Sequence, residues 1–407
     1  MELKKHKLGE IAKILNGSTP STLDPENYDG DIVWATPKDL SDQKSKYFYC
    51  GSRNITKKGY ANCSTQMIPA NNILMSSRAP IGLFAINKVD CCTNQGFKNI
   101  ILDKTISDVD FMYYFLKYHV KEIEALGSGT TFKEVSKASF EQFEICIPSL
   151  SSQRKIASVL SSLDSKIALN RRINTKLETI AKRLYDYWFV QFDFPDANGN
   201  PYKSSGGKMV WNDVLKRAIP EGWEVKSIFD ACNLVYGFPY ATDSFDEENL
   251  ETSQKPYKVV RIRDIQHNTY SAQTTEKTDD KYRTKRNDLL VGMDGYFHMN
   301  FWFRDDDYVN QRIVRLRKTQ ISTLILYHQM KPFIKFKEEM AKGSTVGHLS
   351  DKDLKQLFVV IPNDNSISNR FDSILNLMTE RKAETARLTA LRDKLLPLLM
   401  NGQVEVA

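Results

Sequence analysis

Residues 129–148 read GTTFKEVSKASFEQFEICIP, and residues 343–362 read GSTVGHLSDKDLKQLFVVIP. The two stretches match without a gap, 214 positions apart from end to end (129 to 343, 148 to 362). Val135-Ser136 answers Leu349-Ser350, Phe140 answers Leu354, and Phe143 answers Leu357. Ile145, Ile147 and Pro148 answer Val359, Ile361 and Pro362. Self-similarity at this distance decides the organisation before any local element is considered.

Working outward, earlier landmarks keep nearly the same spacing. Asn94-Gln95 matches Asn310-Gln311, Asn72 to Met75 resembles Asp288 to Val291, and Asn16-Gly17 resembles Tyr236-Gly237. The drift in offset towards the N-terminal side marks loop insertions, so the chain reads as two diverged copies. Each copy begins with short β-like runs separated by Gly, Asn, Asp and Pro. The first copy has Ile32 to Trp34, Ile73 to Met75, Leu83 to Ile86 and Ile145 to Ile147. The second has Val259 to Ile262, Leu289 to Val291, Ile313 to Leu316 and Phe358 to Ile361. Asp110 to Leu126 and Thr323 to Met340 look helical, so each module mixes α and β.

A long helix follows each module. Ile156, Leu160, Leu163, Ile167, Ile173, Leu177, Ile180 and Leu184 recur at helical spacing, as do Phe371, Ile374, Met378, Leu388 and Leu395. This is the heptad pattern of helices packed lengthwise on a partner. Both seams carry polar residues, Asn170 and Lys166 in one and Thr385 and Arg381 at the same repeat positions in the other. Such residues weaken packing and set register. The stretch from Ser151 to Val190 would run about 60 Å at about 1.5 Å per residue. The expected fold is α+β: two pseudo-repeated mixed α/β domains joined by two long coiled-coil helices. Its boundaries are 1–150 for the first module, 151–191 for the central helix and 192–219 for a turn and linker. The second module spans 220–362, and the C-terminal helix spans 363–407.

Composition bounds the function. With 407 residues, 41% hydrophobic and 26% charged, each half can bury a core. A net charge of +7 permits nucleic acid as a partner without requiring it. The start shows basic residues but no apolar run behind them, and no segment is long and apolar enough to span a bilayer. The six cysteines, Cys50, Cys63, Cys91, Cys92, Cys146 and Cys232, form no C-x-x-C. Reduced thiols in a cytoplasmic protein are the expectation.

The centre of the chain carries Tyr187-Trp188-Phe189-Val190, then Phe192-Asp193-Phe194-Pro195. Tyr202 to Val210 and Pro220-Glu221-Gly222-Trp223-Glu224 follow. These stretches resemble the specificity subunits of type I restriction–modification systems, and the resemblance covers essentially the whole chain. It implies that each module is a target-recognition domain for one half of a bipartite, asymmetric double-stranded DNA sequence. It also implies that the two helices lie antiparallel, separate the modules and dock two modification subunits. On that resemblance the chain binds no cofactor itself: S-adenosylmethionine belongs to the modification subunits, and ATP and Mg to restriction subunits. One departure is that Ser76 to Gly82 has no clear counterpart in the second copy, which carries Gly292-Met293-Asp294-Gly295-Tyr296.

The architecture suits bipartite reading. Base edges in the major groove carry sequence, whereas phosphate contacts carry register. Two modules on one face of DNA need a spacing near one helical turn, about 34–36 Å. A helix pair can fix that distance and a flexible linker cannot. Candidate readers are polar residues on loops near strand ends. In the first module these are Ser18, Thr19, Lys38, Ser76, Arg78, Gln95, Thr130, Thr131 and Lys133. In the second they are Tyr236, Arg261, Arg263, Asp294, His298, Gln311, Arg312, Ser344, Thr345 and His348. Arg suits guanine O6 and N7, Gln suits adenine, and Asp accepts from cytosine.

Catalytic patterns are missing. Asn200-Pro201-Tyr202 lacks the second proline of an adenine-methyltransferase tetrapeptide, and there is no Walker loop, H-E-x-x-H or G-x-S-x-G. Two alternatives stay open. Pro195-Asp196 with Glu224-Val225-Lys226 fits the loose carboxylate–lysine spacing of Mg-dependent nucleases, although Asp196 sits in a turn-like Asp-Ala-Asn-Gly. The helices alone would also suit a coiled-coil scaffold that binds no DNA.

Overall fold

The repeat is realised as two sheets of matching order. The computed structural model describes residues 2–43, 45–129, 133–247, 250, 255–341 and 347–406. The chain divides into two compact units, one from residues up to Ala168 together with those from Arg387 onward, the other Leu169–Ala386. Each unit therefore holds one module and a stretch of both long helices.

In the first unit the sheet runs Ala12–Asn16, Phe97–Leu102, Ile73–Ser77, Ile81–Asn87, Tyr47–Phe48, with only the last pair parallel. Ile14, Ile73, Ile86 and Ile100 project from it into a core closed by the helix Val109–Tyr118. That helix starts where Asp108 accepts a hydrogen bond from the Phe111 N–H, a standard N-terminal cap. A separate pair, Lys4–Lys7 with Glu144–Ile147, leads directly into the long helix Leu150–Tyr185. Its inward residues Ile145 and Ile147 are buried and alternate with the exposed Glu144 and Cys146, the period of a half-covered strand.

The second unit repeats this plan. Its sheet runs Cys232–Tyr236, Ile313–Lys318, Leu289–Gly292, Met299–Phe301, entirely antiparallel. Thr323–Ala341 is the covering helix, and Glu224–Ser227 pairs with Phe358–Ile361 before the helix Asn365–Met400. Both long helices have 36 residues. The first continues through a π-helical turn, Asp186–Val190, that turns Trp188 and Phe189 inward against Phe371 and Trp223.

Three expectations change. The run Val259 to Ile262 is not one strand: Tyr257–Val260 stops where Asp264 accepts from the Arg261 N–H, and Ile262–Ile265 turns helical. The linker holds a hairpin, Met209–Asn212 with Arg217–Pro220, where turn residues alone were expected. The helical stripe is wider than a seam. Ile156 and Leu160 bury in the first module's core with Leu395 packed half-buried against it, and Phe371 and Met378 bury in the second's with Leu177, Leu184 and Ile374 packed half-buried against it. Each helix lies on a sheet-based module as well as on its neighbour, so a broader apolar face is needed. Ile167 is buried, Leu163, Ile173 and Leu388 are half-buried, and Ile180 is exposed. Asn170 is fully buried and donates to Glu384 Oε2 at 3.0 Å; Asn174 donates to the Met378 carbonyl at 3.2 Å. As residue number rises along one helix it falls along the other, so the two run antiparallel there.

Candidate nucleic-acid interface

Both modules build the same mouth from the same backbone. In the first, Trp34–Ala35 runs parallel to Cys92–Thr93 and then enters the short helix Pro37–Asp42, whose Asp39 closes a capping box with Thr36. In the second, Tyr257–Val260 runs parallel to Tyr308–Val309 and enters Ile262–Ile265, closed by Asp264 on Arg261. The Asn-Gln turns follow. The Asn94 N–H donates to the Ala35 carbonyl at 3.0 Å, and the Asn310 N–H to that of Val260 at 3.1 Å. A crossing chain passes so close that a Cβ on Gly17 would lie 1.9 Å from the Asn94 carbonyl oxygen, and one on Gly237 2.0 Å from that of Asn310. The shared glycine of Asn16-Gly17 and Tyr236-Gly237 is therefore a packing requirement at a backbone crossing.

A hairpin and a loop complete each mouth. The Ser77 N–H donates to the Gly96 carbonyl (2.7 Å), and the Ser77 carbonyl accepts from the Val135 N–H (3.1 Å). Met293 makes the same two bonds, to Arg312 (3.0 Å) and from Leu349 (2.7 Å). These bonds make Arg78 equivalent to Asp294, Gly96 to Arg312 and Glu134 to His348.

The candidate readers separate into groups. In the first module Lys38, Gln95 and Lys133 are exposed, and Thr19 donates to Gln95. Ser18 is half-buried, its carbonyl accepting from Trp34 Nε1 (3.2 Å). Arg78 is partly exposed, with Nη1 3.9 Å from Glu134 Oε2. Ser76 is corrected: it is fully buried, donating to the Pro80 carbonyl (2.7 Å) and accepting from the Leu83 N–H (2.8 Å), so its hydroxyl closes the hairpin and has nothing left to offer a base. Thr130, Thr131, Ser344 and Thr345 lie outside the described residues.

In the second module Arg261, Arg263, Gln311 and Arg312 line one open groove of about 440 Å³ with Tyr240, Phe245 and Asn310. Arg261 is held by Glu247 at 2.6 Å, and Arg263 meets the same carboxylate at 3.4 Å and donates to Ser271 Oγ at 3.0 Å. The Arg261 hydrogen bond is the main force holding the Glu247 carboxyl below its usual range. Asp294 joins Arg312 (3.3 Å) and His348 (2.5 Å). His298 stacks on the exposed Tyr296 ring. Tyr236 is corrected: its hydroxyl donates to Asp351 Oδ1 at 2.7 Å, and burial followed by that bond pushes the phenol well up, which fastens it to the helix Asp351–Lys355. Lys98, Glu134 and Glu247 were absent from the candidates. Glu134 lies inside the repeat stretch itself, opposite His348, and carrying the alignment through charge would have found it.

The decoys resolve into structure. Asp196 Oδ1 accepts from the Asn198 and Asn200 N–H groups, both at 2.8 Å, and Lys226 pairs with Glu224 at 2.8 Å. Asp307 is buried on Trp302 Nε1 and Arg304 Nε. Burial pushes the Cys91, Cys92 and Cys232 thiols up to about 12, which keeps them protonated. Among the described residues no helix is long and apolar enough to cross a membrane.

Comparison with known proteins gives the following. A family model described as type I restriction modification DNA specificity domain matches residues 2–179 and 220–387, once per copy. A type I restriction enzyme specificity subunit of Methanocaldococcus jannaschii, MjaIX, is 31% identical, over 98% of this chain and 93% of that one. The HindI specificity subunit of Haemophilus influenzae is 23% identical, over 98% and 99%. The crystal structure of a type I restriction–modification S subunit from M. genitalium shares the fold, with a TM-score of 0.59 at 19% identity, covering 98% of this chain and 96% of that one.

Proposed function

The chain belongs to the DNA-specificity subunits of type I restriction–modification enzymes, and we propose on that premise that its two modules read two different short words of one duplex. The observation that carries this reading is the pair of mouths: identical backbone ties, different side chains on them. Lys38 stands where Arg263 stands, second in the capped helix, and Gln95 stands where Gln311 does. A shared frame with altered contacts is what two unlike half-sites require, because the frame sets reach and the side chains set the base.

The chain then contributes recognition, and chemistry resides on its partners. The long helices hold the distance between words, which becomes the unread spacer, and dock two modification subunits that carry S-adenosylmethionine. Restriction subunits, where they join, bring ATP and Mg.

The test is methylome sequencing of a host that expresses this chain with its modification subunits. The expected motif is two short words with a fixed gap, and exchanging residues 2–149 for those of a relative should change one word only. A continuous motif, or a change in both words, would overturn the reading.

A further inference from the structure

The repeat provides an internal alignment of the two mouths, and its disagreements are ordered. Where the hairpin meets the loop, each mouth sets a carboxylate between two bases. In the first, Glu134 Oε2 faces Arg78 at 3.9 Å and Oε1 takes Lys98 Nζ at 3.0 Å. In the second, Asp294 Oδ2 faces Arg312 at 3.3 Å and Oδ1 takes His348 at 2.5 Å. Yet the three roles are permuted among the three elements. The carboxylate moves from the loop to the hairpin, the guanidinium from the hairpin to the turn that opens the neighbouring strand, and the second base from that strand to the loop.

The guanidinium nevertheless keeps its place. A Cβ on Gly96 would lie 3.6 Å from Arg78 Nε, so Arg78 lies over the glycine whose equivalent is Arg312 itself. Two different turns deliver a guanidinium to the same part of the mouth, next to Gln95 in one module and Gln311 in the other. Both stay accessible, with 39% and 56% of the side chain exposed. A structural ion pair needs no particular position for its cation. A contact with an external group does.

We propose that Arg78 and Arg312 are the matched specificity-determining residues of the two modules, each reading a guanine in its own half-site. This rests on the DNA-reading function proposed above. A guanidinium fork matches guanine O6 and N7 with two parallel bonds in a fixed plane, a geometry that the flexible lysine ammonium does not hold. The carboxylate behind it aims the fork, and the second base clamps the carboxylate.

The experiment uses the full chain with its modification subunits, comparing wild type with Arg78→Lys and Arg312→Lys by methylome sequencing. The wild-type motif is expected to hold a G·C pair in each word. Arg78→Lys should lower discrimination at one G·C position of one word by about 10-fold or more, and Arg312→Lys should do the same in the other word, with the gap unchanged. Where a variant no longer methylates, competition binding of the purified complex decides: loss confined to the cognate duplex supports the proposal, and equal loss on cognate and single-base-substituted duplexes overturns it. Should a lysine variant fail to assemble, Glu134→Gln and Asp294→Asn take its place and should relax the same positions more weakly; an effect elsewhere overturns the proposal. A bipartite motif unchanged in the variants, or lacking a G·C pair in either word, also overturns it while leaving the DNA-reading function intact. A wild-type motif that is not bipartite would instead refute that function.

Discussion

Where their covering helices meet the long helices, the two modules use different chemistries. In the first unit the joint is ionic: the buried Lys46 Nζ meets Asp110 (2.7 Å), Ser161 Oγ (2.7 Å) and Tyr114 (3.2 Å). Tyr114 donates to Asp164 Oδ2 at 2.6 Å, and Arg392 takes Oδ1 at 2.8 Å, so one carboxylate links the module to both helices. In the second unit the covering helix meets the long helices through rings: His328 stacks on Tyr185 at 4.9 Å, beside Phe371 edge-on to Trp188 and Phe189, while Arg286 and Lys318 add ion pairs to Glu380 and Asp372 elsewhere along the C-terminal helix. Tyr114 and His328 occupy the same repeat position, each two residues beyond the N–H that closes its covering helix's first turn. Rings supply stabilising area without direction, and a buried ion network supplies direction at a desolvation cost. The backbone plan tolerates either.

The sharpest way to break the comparison is to cut each joint at its centre. Phe371→Ala removes a fully buried ring and should cost about 4 kcal/mol. Four tryptophans, Trp188, Trp211, Trp223 and Trp302, lie in the second unit against Trp34 in the first, so urea unfolding followed by tryptophan fluorescence reads that loss directly. Asp164→Ala leaves Tyr114 without its acceptor and Arg392 with Asp393 alone, and should cost about 2 kcal/mol. Its effect belongs in the first unit, as faster amide exchange in Phe97–Leu102 with Ile313–Lys318 unchanged. Equal exchange in both strands would show that the joints are not separate.

Acid should also tell the joints apart. Burial, reinforced by Lys331, lowers the His328 pKa from its ordinary 6.5 to about 4, with Asp186 opposing and Lys182 adding slightly. The unfolded chain therefore takes up a proton near pH 6.5 that the folded chain refuses until about pH 4, so stability of the second unit falls across that window as pH drops. The loss should be about 2 kcal/mol for a ring that keeps some contact with water. His328→Phe should flatten the tryptophan-detected midpoint between pH 6.5 and 4, and an unchanged slope would remove His328 from the joint.

The modules, both long helices and the strands that lead into them were legible because hydrophobic periodicity and a gapless repeat report directly on backbone. The mouths were legible only as composition. Ser76 and Tyr236 read as loop polars because nothing local distinguishes a hydroxyl that faces water from one that closes a hairpin or ties down a helix; the distinction lies in residues 80, 83 and 351. Arg78 and Arg312 were both visible, but their equivalence was not, since they sit at different repeat positions and only the Ser77 and Met293 bonds align the strands. The helical stripe was read as one seam because a 3.5-residue spacing does not say whether a neighbouring helix or a sheet covers it.

The smallest expected effect concerns the helix pair that both joints share. Asn170 is buried without exposure, spends one amide hydrogen bond on Glu384, and leaves Oδ1 without a partner among the described residues. Glu384 keeps Arg381 at 2.7 Å when Asn170 is removed, so Asn170→Leu strands no charge. Replacing an under-satisfied amide by an apolar side chain of similar volume should therefore raise stability by about 1 kcal/mol, seen as a rise in the tryptophan-detected urea midpoint. The amide also penalises every register but the one that brings it to Glu384, and leucine imposes no such penalty. A second spacer length should accordingly appear beside the first in the methylated motif of the Asn170→Leu chain. Gain in stability with a single unchanged spacer would mean that register is held at the joints, by Asp164 and Phe371, and the helix pair between them merely transmits it.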